Sequence, residues 1–538
     1  MAISTLYQHS SHSGLTLGHV ARPYFGAVNI VRVKMARAWF VTTLLSSYFL
    51  ICATAAQAQE YNVSLDFKEP LHASVQATLI VPDGKLFTHR HAGGYEWSDY
   101  IKSLHVYRKN GAEIALQSLG RGRWVLNAPK DESVRVAYDV DLAFTKQLRE
   151  GTQRGGQFFG NSLYLVNRAL FVMSNQTGSI NVHFVVPADF KIATSWMAVR
   201  PLQYRMRDNA ELSDNTTIFG DFPSFSVQEG AFYLMMALPG STKAGQSLLQ
   251  PVMQSALHEY IRMFPKTPEF HILLTYFRGV EVNGEGYRDS ATLTSPDAIE
   301  EGNRVMWANY LDHEFFHHWN AALITGNDDG DNFGTTEWFA EGATEYVANR
   351  TLVRTGIIST DLYLKMLETN VGMYEFWSWA APFQGASQSI SLRDAGSKTA
   401  LPLPKDTVAK TYNRAGVYNG GWVATYCIDM MIQQDTNGQK DLDDLFRLLL
   451  DRYGLTGKQY TTADLAQSAS EVAGIDLSDF FATYIAAPNT LPVQQCLKDG
   501  GYDSQILNYA GEAFVVPSHT ATELEKSIRN RLSVGSQN

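Results

Sequence analysis

The sequence predicts a multidomain chain, with an all-β, sandwich-like N-terminal domain at 59–245 and an α+β, mostly helical domain at 246–490. Three observations predict it. Residues 60 to about 245 alternate apolar and polar positions, the pattern of half-buried strands. From Gly245 the apolar spacing becomes that of helices. The second part also holds His313-Glu314-Phe315-Phe316-His317, two histidines four apart on one helix face. At 538 residues the chain exceeds one ordinary core.

Taken in order, the first 58 residues contain Arg22, Arg32, Lys34 and Arg37 but no acid. From Met35 they read as a secretory signal. Lys34 and Arg37 flank its start, Trp39 to Cys52 is mostly apolar, and Ala56-Gln57-Ala58 fits a cleavage site. Initiation at Met35, cleavage after Ala58 and export (periplasmic or secreted) are expected. The apolar run is short for a membrane span, and no later run approaches that length. Removing the four cations leaves 40 basic against 54 acidic residues, a net charge of −14. So acidic a chain is a poor partner for nucleic acid or an anionic surface.

Within the first domain, Tyr61, Val63, Leu65 and Phe67 alternate with polar residues. So do Val134, Val136, Tyr138, Val140, Leu142 and Phe144, and then Ile180, Val182, Phe184 and Val186. Arg121-Gly122-Arg123 and Gly155-Gly156 read as turns. In the second domain helices are expected at 247–263, 361–369, 421–433, 441–453, 462–473 and 479–486, with a strand at 270–277. Residues 491–538 form a C-terminal tail too short for a domain of usual size.

The helix bearing the histidines has a cap, a first-turn proline and an acid in Ser295-Pro296-Asp297. Gly302 leaves its start open. Trp307, Leu311 and Phe315 give it an apolar stripe. His313 and His317 can hold one metal, with Glu314 about 100° round the helix as general base. A catalytic zinc takes three protein ligands and keeps one position open. No cysteine is near, and the only histidine after His318 is His519, so the third ligand should be a carboxylate. Asp328, Asp329 and Asp331 lie in a Gly-rich turn whose spacing does not make a calcium loop. Glu337, Glu341 and Glu345 share a face of the next helix. Glu341 is preferred, because Gly342 admits a second backbone and Trp338 and Phe339 can pack that helix on the first.

HEFFHHWN at 313–320 followed by WFAEG at 338–342 resembles the glycyl-aminopeptidase family of zinc peptidases, glutamate-ligand zincins with thermolysin-like catalytic domains. GGYEWSDY at 93–100 and YNGGWVATYCIDMMI at 418–432 extend the resemblance. It implies one catalytic Zn2+ with Glu341 as third ligand, and Tyr418 as oxyanion stabiliser with Tyr412 as the alternative. It also implies that Glu345 orients a zinc histidine, and that the substrates are peptides or proteins losing small N-terminal residues. Gly420 stands where the family has lysine. Related aminopeptidases hold the substrate amine with a strand-borne glutamate. Here the matching stretch, 283–290, has Gly286 at that position and Glu285 one place early, an offset that turns a strand residue to the opposite face. Glu285 is the candidate amine ligand, and an endopeptidase is the second reading. A non-catalytic zinc-containing binding module is the third, against which the intact Glu314 counts. Whether Cys427 and Cys496 meet, and the oligomeric state, are left open by the sequence.

Overall fold

The computed structural model describes residues 58–533 apart from 69–70, 90–95, 128, 144–154, 188, 241–242, 280–282, 328–331, 333, 381–389 and 401–413. The signal segment with Met35, the aspartates of the Gly-rich turn and Tyr412 lie outside the described residues.

Period two in the N-terminal part becomes alternating burial. In Gln59–Asp66 every second residue is buried, including Tyr61, Val63 and Leu65. Tyr61 faces Ala77 and Val63 faces Val75 across His72–Val81. These strands sit inside a seven-stranded sheet that also takes in Glu132–Asp141 and Ile180–Val185. A four-stranded sheet containing Ser162–Val166 and Thr216–Gly220 shares its core. Phe184 of one sheet meets Phe219 of the other edge-on at 4.9 Å. The N-terminal part is therefore β-rich.

A second core begins at Phe225, not at 245. Ser224–Glu229 and Phe232–Ala237 alternate like the strands before them, yet they pair into another sheet: Phe232–Ala237 runs parallel to His271–Arg278. Periodicity reports that a strand is half buried, not which sheet it joins, so the expected boundary lay two strands too late. Beyond His271–Arg278 come Ser290–Ser295 and, at the edge, Asn283–Gly286. The helix Lys243–Met263 covers this sheet, and the rest of the second part is largely helical.

The last residues are part of this second core. Val493–Asp499, a hairpin of Tyr502–Leu507 with Glu512–Pro517, and Glu523–Ser533 pack against it. Cys496 is disulfide-bonded to Cys427 in the helix Gly421–Asp435. Gly511 lies against Gly372 of the helix Thr360–Ala380 so closely that a Cβ at Gly372 would strike its carbonyl. No helix among the described residues is long and apolar enough to cross a membrane.

Candidate metal centre and active site

The motif helix runs Arg304–Phe316 and starts later than the sequence cues suggest. Ser295 ends a strand, and its hydroxyl accepts from the Asp297 amide in a local turn. Trp307, Leu311 and Phe315 are fully buried, as the stripe requires. Trp307 packs on Tyr276, and Phe315 on Tyr260 and Trp319. This anchoring leaves the histidine face toward the ligand helix, Glu337–Arg354.

Three donor atoms converge there. Nε2 of His313 and Nε2 of His317 are 3.1 Å apart, and Oε2 of Glu341 lies 3.3 and 3.6 Å from them. Tetrahedral zinc, with bonds of about 2.0–2.1 Å, separates neighbouring ligand atoms by about 3.3 Å. The triangle matches, and no other such cluster occurs among the described residues. The far side of each imidazole is held as a metal site needs. Nδ1 of His313 is 3.0 Å from Oε2 of Glu345, and Nδ1 of His317 is 3.0 Å from the Asn320 carbonyl. Both partners only accept, so each Nδ1 carries the proton and each Nε2 lone pair faces the triangle.

Burial alone would push both imidazoles down, but Glu341 and Glu345 raise His313, and Glu341 raises His317. Against its own burial, Glu341 is held well below the usual carboxylate range by the two histidines. Glu314 is the opposite case: burial raises it over the lowering effect of His317 and His313. Three carboxylates around two imidazoles form a donor set suited to a divalent cation.

Tyr418 arrives on a wide π-helical turn, Gly416–Gly420, ahead of the helix Gly421–Asp435. Such turns concentrate at functional sites. Its ring stacks on His313 with centroids 6.1 Å apart, and its hydroxyl bonds Glu341. Burial pushes the phenol up, so it remains a donor. The approach depends on two glycines. A Cβ on Gly342 would collide with the backbone of Gly421, and one on Gly421 with the Trp338 carbonyl. At Gly420, the family's lysine position, a Cβ would lie 2.6 Å from the end of the Leu392 side chain, which would have to shift.

Glu285 departs from expectation. The edge strand Asn283–Gly286 presents Gly284 to the site, where a Cβ would collide with the Glu314 carboxylate. Alternation turns Glu285 the other way, and its Oε1 lies 3.7 Å from Nη1 of Arg168. It is not placed to hold a substrate amine. Gly286 shares the face of Gly284, and a Cβ there would meet nothing within 4 Å.

Asn309, Asn349 and Asn320 escaped the sequence reading as site residues. Asn309 and Asn349 donate to Oε1 of Glu345 at 2.8 and 3.2 Å. Asn320 also donates to the Phe339 carbonyl at 3.0 Å, tying the turn after the motif to the ligand helix. The signal for the first two is one-turn spacing: Asn309 precedes His313 by four and Asn349 follows Glu345 by four. His318 packs at 4.5 Å on Phe270, and burial pushes its imidazole down to about 3.

Residues 307–420 match the M61 glycyl aminopeptidase family model, and residues 49–221 match the Peptidase M61 N-terminal domain. The chain belongs to the glycyl-aminopeptidase family of zinc metallopeptidases. Two solved structures share the fold. An aminopeptidase N family protein from Idiomarina loihiensis is 19% identical, with a TM-score of 0.67 over 83% of this chain and 79% of that one. An M1 zinc metallopeptidase from Deinococcus radiodurans is 13% identical, with a TM-score of 0.51 over 81% and 95%. Comparison with curated proteins finds no match. The family's N-terminal signature at 93–100 is structural where described: Trp97 and Tyr100 are buried and stacked at 5.6 Å, and the Tyr100 hydroxyl accepts from the Gly155 amide.

Proposed function

We propose that the protein is an exported aminopeptidase for small N-terminal residues of peptides, with a thermolysin-like catalytic domain. One zinc ion would be held by His313, His317 and Glu341. The observation that carries this reading is the triangle of donor atoms 3.1, 3.3 and 3.6 Å apart, with Glu314 beside it against the edge strand. When bound, the ion supplies Lewis acidity to the scissile carbonyl and to the attacking water. Glu314 takes the proton from that water and returns it to the leaving amine. Its raised pKa favours that return. The Tyr418 hydroxyl donates to the oxygen on which negative charge develops. Export is supported by the signal-like segment and by the Cys427–Cys496 disulfide, which suits an oxidising compartment.

The open space at Gly286, where the related aminopeptidases carry the amine-binding glutamate, favours a second reading, endopeptidase action. A peptide library read by mass spectrometry separates the two. Loss of single N-terminal residues supports the aminopeptidase, and internal cuts replace it with the endopeptidase. In the same assay Glu314→Gln should slow hydrolysis by roughly 10²–10⁴-fold with zinc content unchanged. Undiminished turnover would remove Glu314 from its role as base.

A further inference from the structure

Among the described strands, the edge strand Asn283–Gly286 pairs only with Ser290–Ser295. Its own sheet therefore holds it weakly, yet its backbone lies against the Glu314 carboxylate. A further restraint comes from the N-terminal β-rich part. Arg168, on the short turn Asn167–Ala169, donates from Nε to Asp214 at 2.7 Å. It also places Nη1 3.7 Å from Oε1 of Glu285, and its guanidinium lies 4.5 Å from the centre of the Tyr287 ring. The side chains of Arg168 and Glu285 are only 18% and 25% exposed, so solvent screens their pair less than a surface one.

Around this grip the turn after the strand is tied to the same part of the molecule. The Arg288 amide donates to the Asp214 carbonyl at 3.1 Å and the Thr216 amide to the Ser290 hydroxyl at 3.0 Å. The Tyr164 and Thr292 hydroxyls meet at 2.9 Å. Of these contacts only the Arg168–Glu285 pair grips the strand itself, midway between Gly284 and Gly286.

We propose that Arg168 is a positioning residue for substrate: through Glu285 it fixes the edge strand beside Glu314 and so sets the affinity for peptide. The side of that strand away from Ser290–Ser295 is where an extended peptide would add, so the proposal rests on the peptidase reading. Arg168 touches neither the metal ligands nor Tyr418, so its loss should act on binding and leave the chemical step alone.

The test uses Arg168→Met, Arg168→Lys and the milder Glu285→Gln in the full chain, with four readouts. KM for a peptide substrate should rise roughly tenfold in Arg168→Met, and less in Glu285→Gln and Arg168→Lys. The kcat and the bound zinc should remain those of the parent. Hydrogen exchange should quicken across 283–295 in Arg168→Met and Glu285→Gln and stay unchanged across 304–354. Unchanged KM in Arg168→Met and Glu285→Gln overturns the proposal, as does unchanged exchange across 283–295. A fall in kcat with KM constant also overturns it. If the parent cleaves no peptide, the peptidase reading fails separately, and the exchange measurement alone decides for or against the grip of Arg168 on the strand.

Discussion

The ligand helix Glu337–Arg354 buries two charge clusters within about four turns. At its first half Glu341 and Glu345 face two imidazoles. At its second half Arg350 faces Asp429 and Asp443, and Arg354 faces Asp443, Asp441 and Glu259 at 3.1–3.4 Å. Both clusters are removed from water, where an unmatched charge is costly. The second brings its own cations, and Tyr346 adds a hydroxyl to Asp429 at 2.7 Å. The first brings carboxylates and neutral donors aimed at one point, and among the described residues Glu341 and Glu345 pair only with imidazoles, the Arg414 guanidinium lying instead over the Tyr418 ring at 5.0 Å. A complete cluster holds helices together, whereas an incomplete one recruits an ion.

The comparison breaks most visibly at Arg350. Arg350→Met leaves Asp429 and Asp443 buried beside a neutral side chain, and removing one partner of a buried ionic cluster costs about 3–5 kcal/mol. The same loss should appear in urea unfolding with zinc bound and after chelation. A loss seen only in the zinc-loaded protein would mean that the two clusters form one network.

Much of this helix was legible in the sequence. The four-residue spacing of Glu337, Glu341 and Glu345 marks one face, and Gly342 marks a close approach, which Gly421 supplies. The partners of Arg350 lie 79 and 93 residues away in sequence, beyond any periodicity. The candidate metal site was readable because His313, Glu314 and His317 share one helix, where spacing is geometry. Tyr418 needed the family resemblance, since the π-helical turn that aims it has no local sequence mark. Glu285 shows what one missing position does: strand alternation turns it from a substrate ligand toward Arg168.

A third solution to buried charge sits at Asp289, beside the edge strand. Its Oδ2 lies 3.6 Å from Nε of Arg288, and burial, outweighing the lowering by Arg288, raises its carboxyl from 3.8 to about 6. Here the charge is answered by a proton. Below about pH 4 both folded and unfolded forms hold that proton, and the group contributes no pH dependence. Between about 4 and 6 only the folded form holds it, so this group makes stability fall as pH rises, levelling off above about 6. Asp289→Asn removes that fall. The variant should gain stability over the parent between pH 4.5 and 7.5, by at most about 3 kcal/mol for two pK units. Equal gaps at the two pH values would show that Asp289 does not titrate in this window.

The finest cut separates the incomplete cluster from its supports. Glu345 lies behind His313, with Oε2 toward Nδ1 and Oε1 taken by Asn309 and Asn349. In Glu345→Gln one amide group must face a donor whichever way it turns. With the NH2 toward His313, the imidazole must move its proton to Nε2, which the metal needs free. With the oxygen toward His313, the NH2 meets two asparagine NH2 groups. Either way the zinc-competent tautomer loses support, and metal affinity should fall by about 10–100-fold. Competition with a chromophoric chelator measures this directly. The variant saturated with zinc should retain most of the parent's kcat, because Glu345 touches neither water nor substrate. Undiminished affinity would place the burden of orienting His313 on packing against Tyr418 and leave Glu345 as one end of a helix-to-helix hydrogen-bond chain.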